Sequence, residues 1–345
     1  MIASIAVRAA GFAALYLLWV TGAARLWVIM TIALAAGAAS VFFQTALVIV
    51  VKDLFPGPGL IRANSALELA SQAALVAGPA VVGVLAAAGE LGAALLADAA
   101  TFGVSLVTLL AVRGNVPHTS RRIGREGGWG GGWGGGWGAM AADFRAGIGY
   151  LLSVRVLVIM TVMQIIVNMC LATEKLMFFY ARDTLGLSPA GVGAVVAAGG
   201  VGGVAAALSA SWLAGRFGQI RLVVLTVAAS GLAIGSVSVT DSLVTLCAAN
   251  LAYLWAITVA SLANRTYRQL IVPRPLLGRV TSTVRLLYLT ADPLGVVIAG
   301  SLAAAIGDPR PVFLAAGLLV AVTAAAGWRA GLRRAGPASP AGPAR

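Results

Sequence analysis

Ten separate runs of about twenty apolar residues constrain this chain more than any other feature. They fall near 5–23, 27–50, 65–88, 91–112, 156–178, 188–211, 222–240, 243–263, 284–306 and 311–328. A run of that length crosses the hydrocarbon core of a bilayer only as a helix, because each backbone N–H and C=O must be satisfied within its own segment. The runs are too long for barrel strands. With 60% hydrophobic and 10% charged residues, the 345-residue chain cannot cover a water-facing surface. Soluble enzymes, DNA-binding domains and secreted disulfide scaffolds are excluded. The fold class is all-α integral membrane.

The net charge of +13 would suggest nucleic acid in a soluble domain. Placement decides otherwise. With the N-terminus inside, twenty of the 24 basic residues fall on cytoplasmic ends and loops, and only Arg25, Lys175, Arg182 and Arg310 fall outside. That asymmetry is the positive-inside signature, and it predicts a multi-pass protein of the cell membrane with both termini cytoplasmic and no nucleic-acid partner. The small residues at 20–24 would suit signal cleavage, but a second apolar run follows at once, so the first run is read as a span.

Cys170 and Cys247 both lie in apolar runs, and the single histidine, His118, lies in a polar loop. They suggest neither a disulfide framework nor a metal site, and no cofactor is expected. No phosphate-binding loop is present to hydrolyse ATP. Intramembrane enzymes need paired nucleophiles or metal ligands, and the spans carry none, so the chain reads as a non-enzyme.

A polar stretch from Arg113 to Arg155 separates the fourth and fifth runs and contains GGWGGGWGGGWG at 127–138. Glycine-rich sequence is flexible linker. Trp129, Trp133 and Trp137 suit a membrane interface, and AADFRAGIGYLL at 141–152 reads as a short amphipathic helix on the inner surface. The expected domains are a four-span N-terminal bundle (1–112), a cytoplasmic linker (113–155), a six-span C-terminal bundle (156–330) and a cytoplasmic tail (331–345).

An internal repeat joins the halves. FPGPGLIRANS at 55–65 and VPRPLLGRVTS at 272–282 share two prolines, an arginine and a serine at a constant offset of 217 residues. The same offset carries Gly78 to Gly295 and Gly83 to Gly300. It also places the first-half twin of LAGRFGQIR (213–221) at the extreme N-terminus. The expectation is a pair of six-helix bundles in which the first lacks its two leading helices.

This layout resembles the major facilitator superfamily, whose members join two six-helix bundles by a long cytoplasmic loop. LAGRFGQIR is similar to the family's cytoplasmic motif between the second and third helices of a bundle. Arg216, Gly218 and Arg221 match it, while Gly215 and Gln219 replace the usual aspartate and basic residue. AGPAVVG at 77–83 resembles the glycine-proline motif of drug antiporters through Gly78, Pro79 and Gly83. ANSALELASQAALVAGPAVVGVL (63–85), ADAATFGVS (97–105) and FYARDTLGLSPAGVG (179–193) look like the enterobactin-exporter and secretion-effector branch. The resemblance implies that the second, fifth and eighth spans line a central cavity.

Ionisable and amide side chains inside the spans are the functional candidates. The substrate-path candidates are Gln44, Gln72, Gln164, Asn168, Asn250, Tyr253 and Tyr288. Gln164, Asn168 and Lys175 share one face of the fifth span, and Asn250, Tyr253, Ser261 and Asn264 fall within an arc of about 60° in the eighth. Glu68, Asp98, Glu174 and Asp292 are the proton-coupling candidates, since a carboxylate in low dielectric exchanges protons near neutral pH. Glu68, near the inner surface, could instead pair with Arg62 or Arg285. Gly78, Pro79, Gly83, Arg216, Gly218 and Arg221 are the conformational motifs, the glycines by permitting close helix approach. The expected activity is proton-coupled efflux of a small amphipathic molecule, drug-like or siderophore-like, by alternating access, with the substrate, protons and the lipid bilayer as partners. The alternative is a truncated, non-transporting membrane remnant with a structural role.

Overall fold

The computed structural model describes residues 2–22, 25–55, 57, 59–87, 97, 98, 100–108 and 137–334, and every regular element among them is helical. In chain order these are α1 (Ile2–Val20), α2 (Leu26–Leu54), α3 (Gly59–Ala87), α4 (Trp137–Ser153), α5 (Arg155–Phe179), α6 (Pro189–Phe217), α7 (Gln219–Ser236), α8 (Leu243–Ile271), α9 (Arg274–Leu289), α10 (Ala291–Ile306) and α11 (Arg310–Ala330). Residues 100–108, within the fourth expected span, are also helical. Residues 91–96, 99 and 109–112 of that span and the tract 127–136 lie outside the described residues. Among the described residues, eight stretches are long and apolar enough to cross a membrane.

Helix ends follow local chemistry. The Ser188 hydroxyl accepts a hydrogen bond from the Gly191 N–H at 3.2 Å ahead of Pro189, opening α6. Ser242 and Thr245 form a reciprocal capping box on α8. Gly218, at φ +74°, makes the one-residue turn between α6 and α7, a conformation that side-chain-bearing residues rarely adopt.

Two spans differ most from expectation. The eighth run was expected to end at 263, yet α8 continues to Ile271, because the polar side chains of its last turns are paired with α3. The ninth was expected over 284–306, yet its helix starts at Arg274, where Pro273 and Pro275 open it, and it breaks at Thr290. Pro293 causes the break, since it has no N–H to give the Leu289 carbonyl one turn earlier.

The 217-residue repeat reaches the helix ends. Shifted by that offset, α2 coincides with α8 end to end, α1 with α7 to within a residue, and α3 with the α9–α10 pair to within two. Segment 100–108 lands inside α11.

The chain divides into two compact units, residues 1–54 with 77–140 and residues 55–76 with 141–345. In the first, α1 packs on α2, and Phe12 stacks on Phe102 with ring centroids 5.5 Å apart. The Arg8 guanidinium lies 4.3 Å over the same ring. In the second, α8 lies against both α6 and α7, and α11 packs on α7 and α5. The α7–α11 crossing is backbone on backbone, for a Cβ on Gly317 would fall 2.5 Å from the Gly231 carbonyl oxygen. Two apolar clusters fill this unit, one around Met163, Val223 and Leu262 and one around Tyr180, Leu246 and Phe313.

Candidate functional site

Three polar constellations sit among these helices, all in the second unit. The first joins α5 to α10. Lys175 Nζ donates to both carboxylate oxygens of Asp292, at 2.9 and 2.7 Å. Asp292 lies in the first turn of α10, immediately after the break at Thr290. Neither residue is closed off, with side chains 58% and 37% exposed. An ion pair turned to lipid is costly, so the open faces of this pair suit contact with water or other polar groups. Glu174 is half-buried one step round the helix, and Tyr253 on α8 is 4% exposed. Of the proton-coupling candidates, Asp292 takes Lys175, and Glu174 is the residue next to that lysine on α5.

The second constellation joins α5 to α8. Asn264 Nδ2 donates to Gln164 Oε1 at 2.9 Å across the helix interface, and Asn168 turns back to the Gln164 carbonyl at 2.8 Å. The two amides close one side of a narrow crevice, lined also by Val227 and Ser261, with room for about one water molecule. Gln164 and Asn264, read on separate faces of the fifth and eighth spans, meet at this interface. Asn250 is not part of this crevice. It is 1% exposed and donates to the Val195 carbonyl of α6 at 2.8 Å, while its Oδ1 has no partner among the described residues.

The third runs along α3. Asn64, Glu68 and Gln72 follow one another at single-turn spacing. Asn64 Nδ2 donates to Thr266 Oγ1 at 3.0 Å and to Gln269 Oε1 at 2.6 Å. Glu68 Oε2 lies 3.8 Å from Arg265 Nη2, and its Oε1 accepts from Gln72 Nε2 at 3.0 Å. Gln72 lies over Gly203 of α6, where a Cβ would fall 2.6 Å from the amide oxygen. The expected partners of Glu68, Arg62 and Arg285, are not the ones found. Asn64, Arg265, Thr266 and Gln269 escaped notice, although the i, i+4, i+8 spacing of the α3 residues was there to be read.

The remaining candidates lie apart from these groups. Gln44 is exposed on α2, and Asp98 is exposed in the first unit within electrostatic reach of Arg8. Tyr288 is partly buried on α9. Arg216 and Arg221 are exposed on either side of the Gly218 turn. A Cβ at Gly78 would meet nothing within 4 Å, so the close approach expected there is absent among the described residues. The side chains of Pro79 and Gly83 lie outside the described ones. Close approach appears instead at the repeat partner Gly295, where a Cβ would collide with the Met169 backbone of α5.

A family model, the Major Facilitator Superfamily, matches residues 1–263. The chain belongs to this superfamily. No curated protein sequence matches it significantly. Among solved structures, the superfamily chain is similar to a bacterial homologue of the iron transporter ferroportin in the outward-facing state. The TM-score is 0.66 at 18% identity, over 95% of this chain and 80% of that one. It is similar to the E. coli fucose:proton symporter, with a TM-score of 0.65 at 14% identity, over 95% and 82% of the two chains. The proton:xylose symporter XylE bound to 6-bromo-6-deoxy-D-glucose gives 0.61 at 14% identity, over 88% and 70%. At such identities the likeness shows the fold alone. This superfamily member is a multi-pass membrane protein with a transporter fold.

Proposed function

We propose that this chain is a secondary transporter of the cell membrane that exports a small amphipathic molecule, drug-like or siderophore-like, in exchange for protons. Ten spans in a four-plus-six arrangement, with both termini cytoplasmic, frame the activity. The observation that carries the reading is the Lys175–Asp292 ion pair at the α9–α10 break, with Glu174 beside it. A proton arriving at Asp292 removes its charge and frees the Lys175 ammonium. The freed ammonium then turns to the neighbouring carboxylate of Glu174, so one proton rearranges the contacts between α5 and α10. The open faces of Lys175 and Asp292 give protons and substrate a common place to compete, and competition for one site is the basis of antiport. The amides Gln164, Asn168 and Asn264 offer hydrogen bonds to the polar end of an otherwise apolar substrate. Likeness of ANSALELASQAALVAGPAVVGVL and FYARDTLGLSPAGVG to the enterobactin-exporter branch supports export and a siderophore-like substrate.

The test is efflux of an amphipathic fluorescent dye from reconstituted vesicles under an imposed pH gradient. The wild type moves dye faster with the gradient than without it. Asp292→Asn and Glu174→Gln lose that acceleration while remaining folded and membrane-inserted. Gradient-driven efflux that survives both substitutions overturns proton coupling through this cluster.

A further inference from the structure

The inner corner of the second unit, where α5 begins and α11 ends, carries a basic surface that transport does not use. Arg155 is the first residue of α5, Arg329 lies in the last turn of α11, and Arg333 follows in the short 3-10 turn Leu332–Arg334; all three side chains are exposed. Helices α5 and α11 run antiparallel, which brings these residues together. At one end Arg310 Nε donates to the Tyr180 hydroxyl at 3.1 Å. At the other, the Arg155 side chain lies within 3.6 Å of the position a Cβ would take on Gly331. Between them Gly327 presses on Met163, so the corner is held by the helix crossing itself.

Leu332, 1% exposed and built into the apolar core, pins the turn that presents Arg333. Trp328, half-buried against the same core, precedes Arg329 in the last turn of α11, and an indole at a span end favours the headgroup region. None of the three arginines has an ion pair among the described residues. The described acidic side chains of the second unit are elsewhere. Asp183, Asp241 and Asp308 lie at the opposite helix ends, Glu174 and Asp292 lie within the spans, and Glu68 is taken by Arg265.

We infer that this corner binds the phosphodiester headgroup of an anionic phospholipid, its acyl chains continuing along the apolar sides of α5 and α11. Charge complementarity selects an anion. Continuity with two membrane-spanning surfaces selects a lipid over a soluble one. Juxtamembrane arginines attract such headgroups strongly enough that each contributes about fivefold in affinity.

The experiment compares purified full-length chain with its Arg155→Gln, Arg329→Gln, Arg333→Gln triple variant in detergent. Phosphatidylglycerol, phosphatidylcholine and inorganic phosphate are the probes, read by retained lipid in native mass spectrometry and by melting temperature. Phosphatidylglycerol is expected to be retained and to raise the wild-type melting temperature, whereas phosphatidylcholine and phosphate are not. The triple variant is expected to bind phosphatidylglycerol about a hundredfold more weakly. A control variant, Arg216→Gln with Arg221→Gln at another inner loop, keeps wild-type retention. Equal retention by wild type and triple variant, equal retention of the zwitterionic lipid, or saturation by phosphate alone overturns the inference. Because the readout is binding, it stands or falls apart from proton-coupled efflux.

Discussion

Asn64 holds more structure than its place in an apolar run suggests. It is 1% exposed and its amide nitrogen serves two acceptors, Thr266 Oγ1 and Gln269 Oε1, on side chains that are equally enclosed. Removing one member of such a group leaves buried polar atoms without a partner, a penalty of about 1–3 kcal/mol. Asn64→Leu is therefore expected to destabilise the second unit by that amount, and a lowered melting temperature in detergent checks it. Gln44 offers the contrast. It is exposed on α2, and Gln44→Leu should leave the melting temperature close to wild type, so any effect it has on dye efflux reports on substrate rather than on folding.

At the scale of elements, glycine shows how far composition alone can mislead. Gly78 and Gly295 are repeat partners, and both sit in tracts that look built for close helix approach. Among the described residues, only Gly295 of the two meets another backbone, because α5 lies across α10 there, while Gly78 faces nothing within 4 Å. Gly78→Ala should change stability by no more than about 0.5 kcal/mol. Gly295→Ala must push α10 away from Met169, at a cost of about 1–3 kcal/mol, and should separate Lys175 from Asp292. Chemical denaturation of the two variants, together with cross-linking of cysteines placed at 175 and 292, distinguishes these outcomes. Which glycine is tight depends on the neighbouring helix, and a run read in isolation holds no record of its neighbour.

The same limit explains which helices were legible. Runs such as 27–50 and 222–240 announced themselves because lipid demands an apolar surface along their length. The last two turns of α8 did not, since their stability comes from Asn64, more than 200 residues earlier in the chain. Prolines 273 and 275 could be read as the start of α9, and Pro293 as its break, by local chemistry alone. The Lys175–Asp292 pair spans 117 residues, and nothing local in either segment pointed to the other.

For the whole molecule, alternating access requires that some helix contacts exist in one state and part in the other. The α3 ladder is suited to that role. Asn64, Glu68 and Gln72 bring three turns of a first-repeat helix against the second-repeat helices α8 and α6, and each rung is polar, so each finds water as a replacement partner when the helices separate. An apolar seam of the same length would resist opening, because its exposure to water is uncompensated. If the ladder opens during each cycle, a short bifunctional reagent joining cysteines introduced at 64 and 269 should stop dye efflux completely, and cleaving the reagent should restore it. The variant before cross-linking serves as its own control for folding. Full efflux from a completely cross-linked population would show that α3 and α8 stay together throughout the cycle, and the moving contact would then have to be sought at the α5–α10 pair around Asp292.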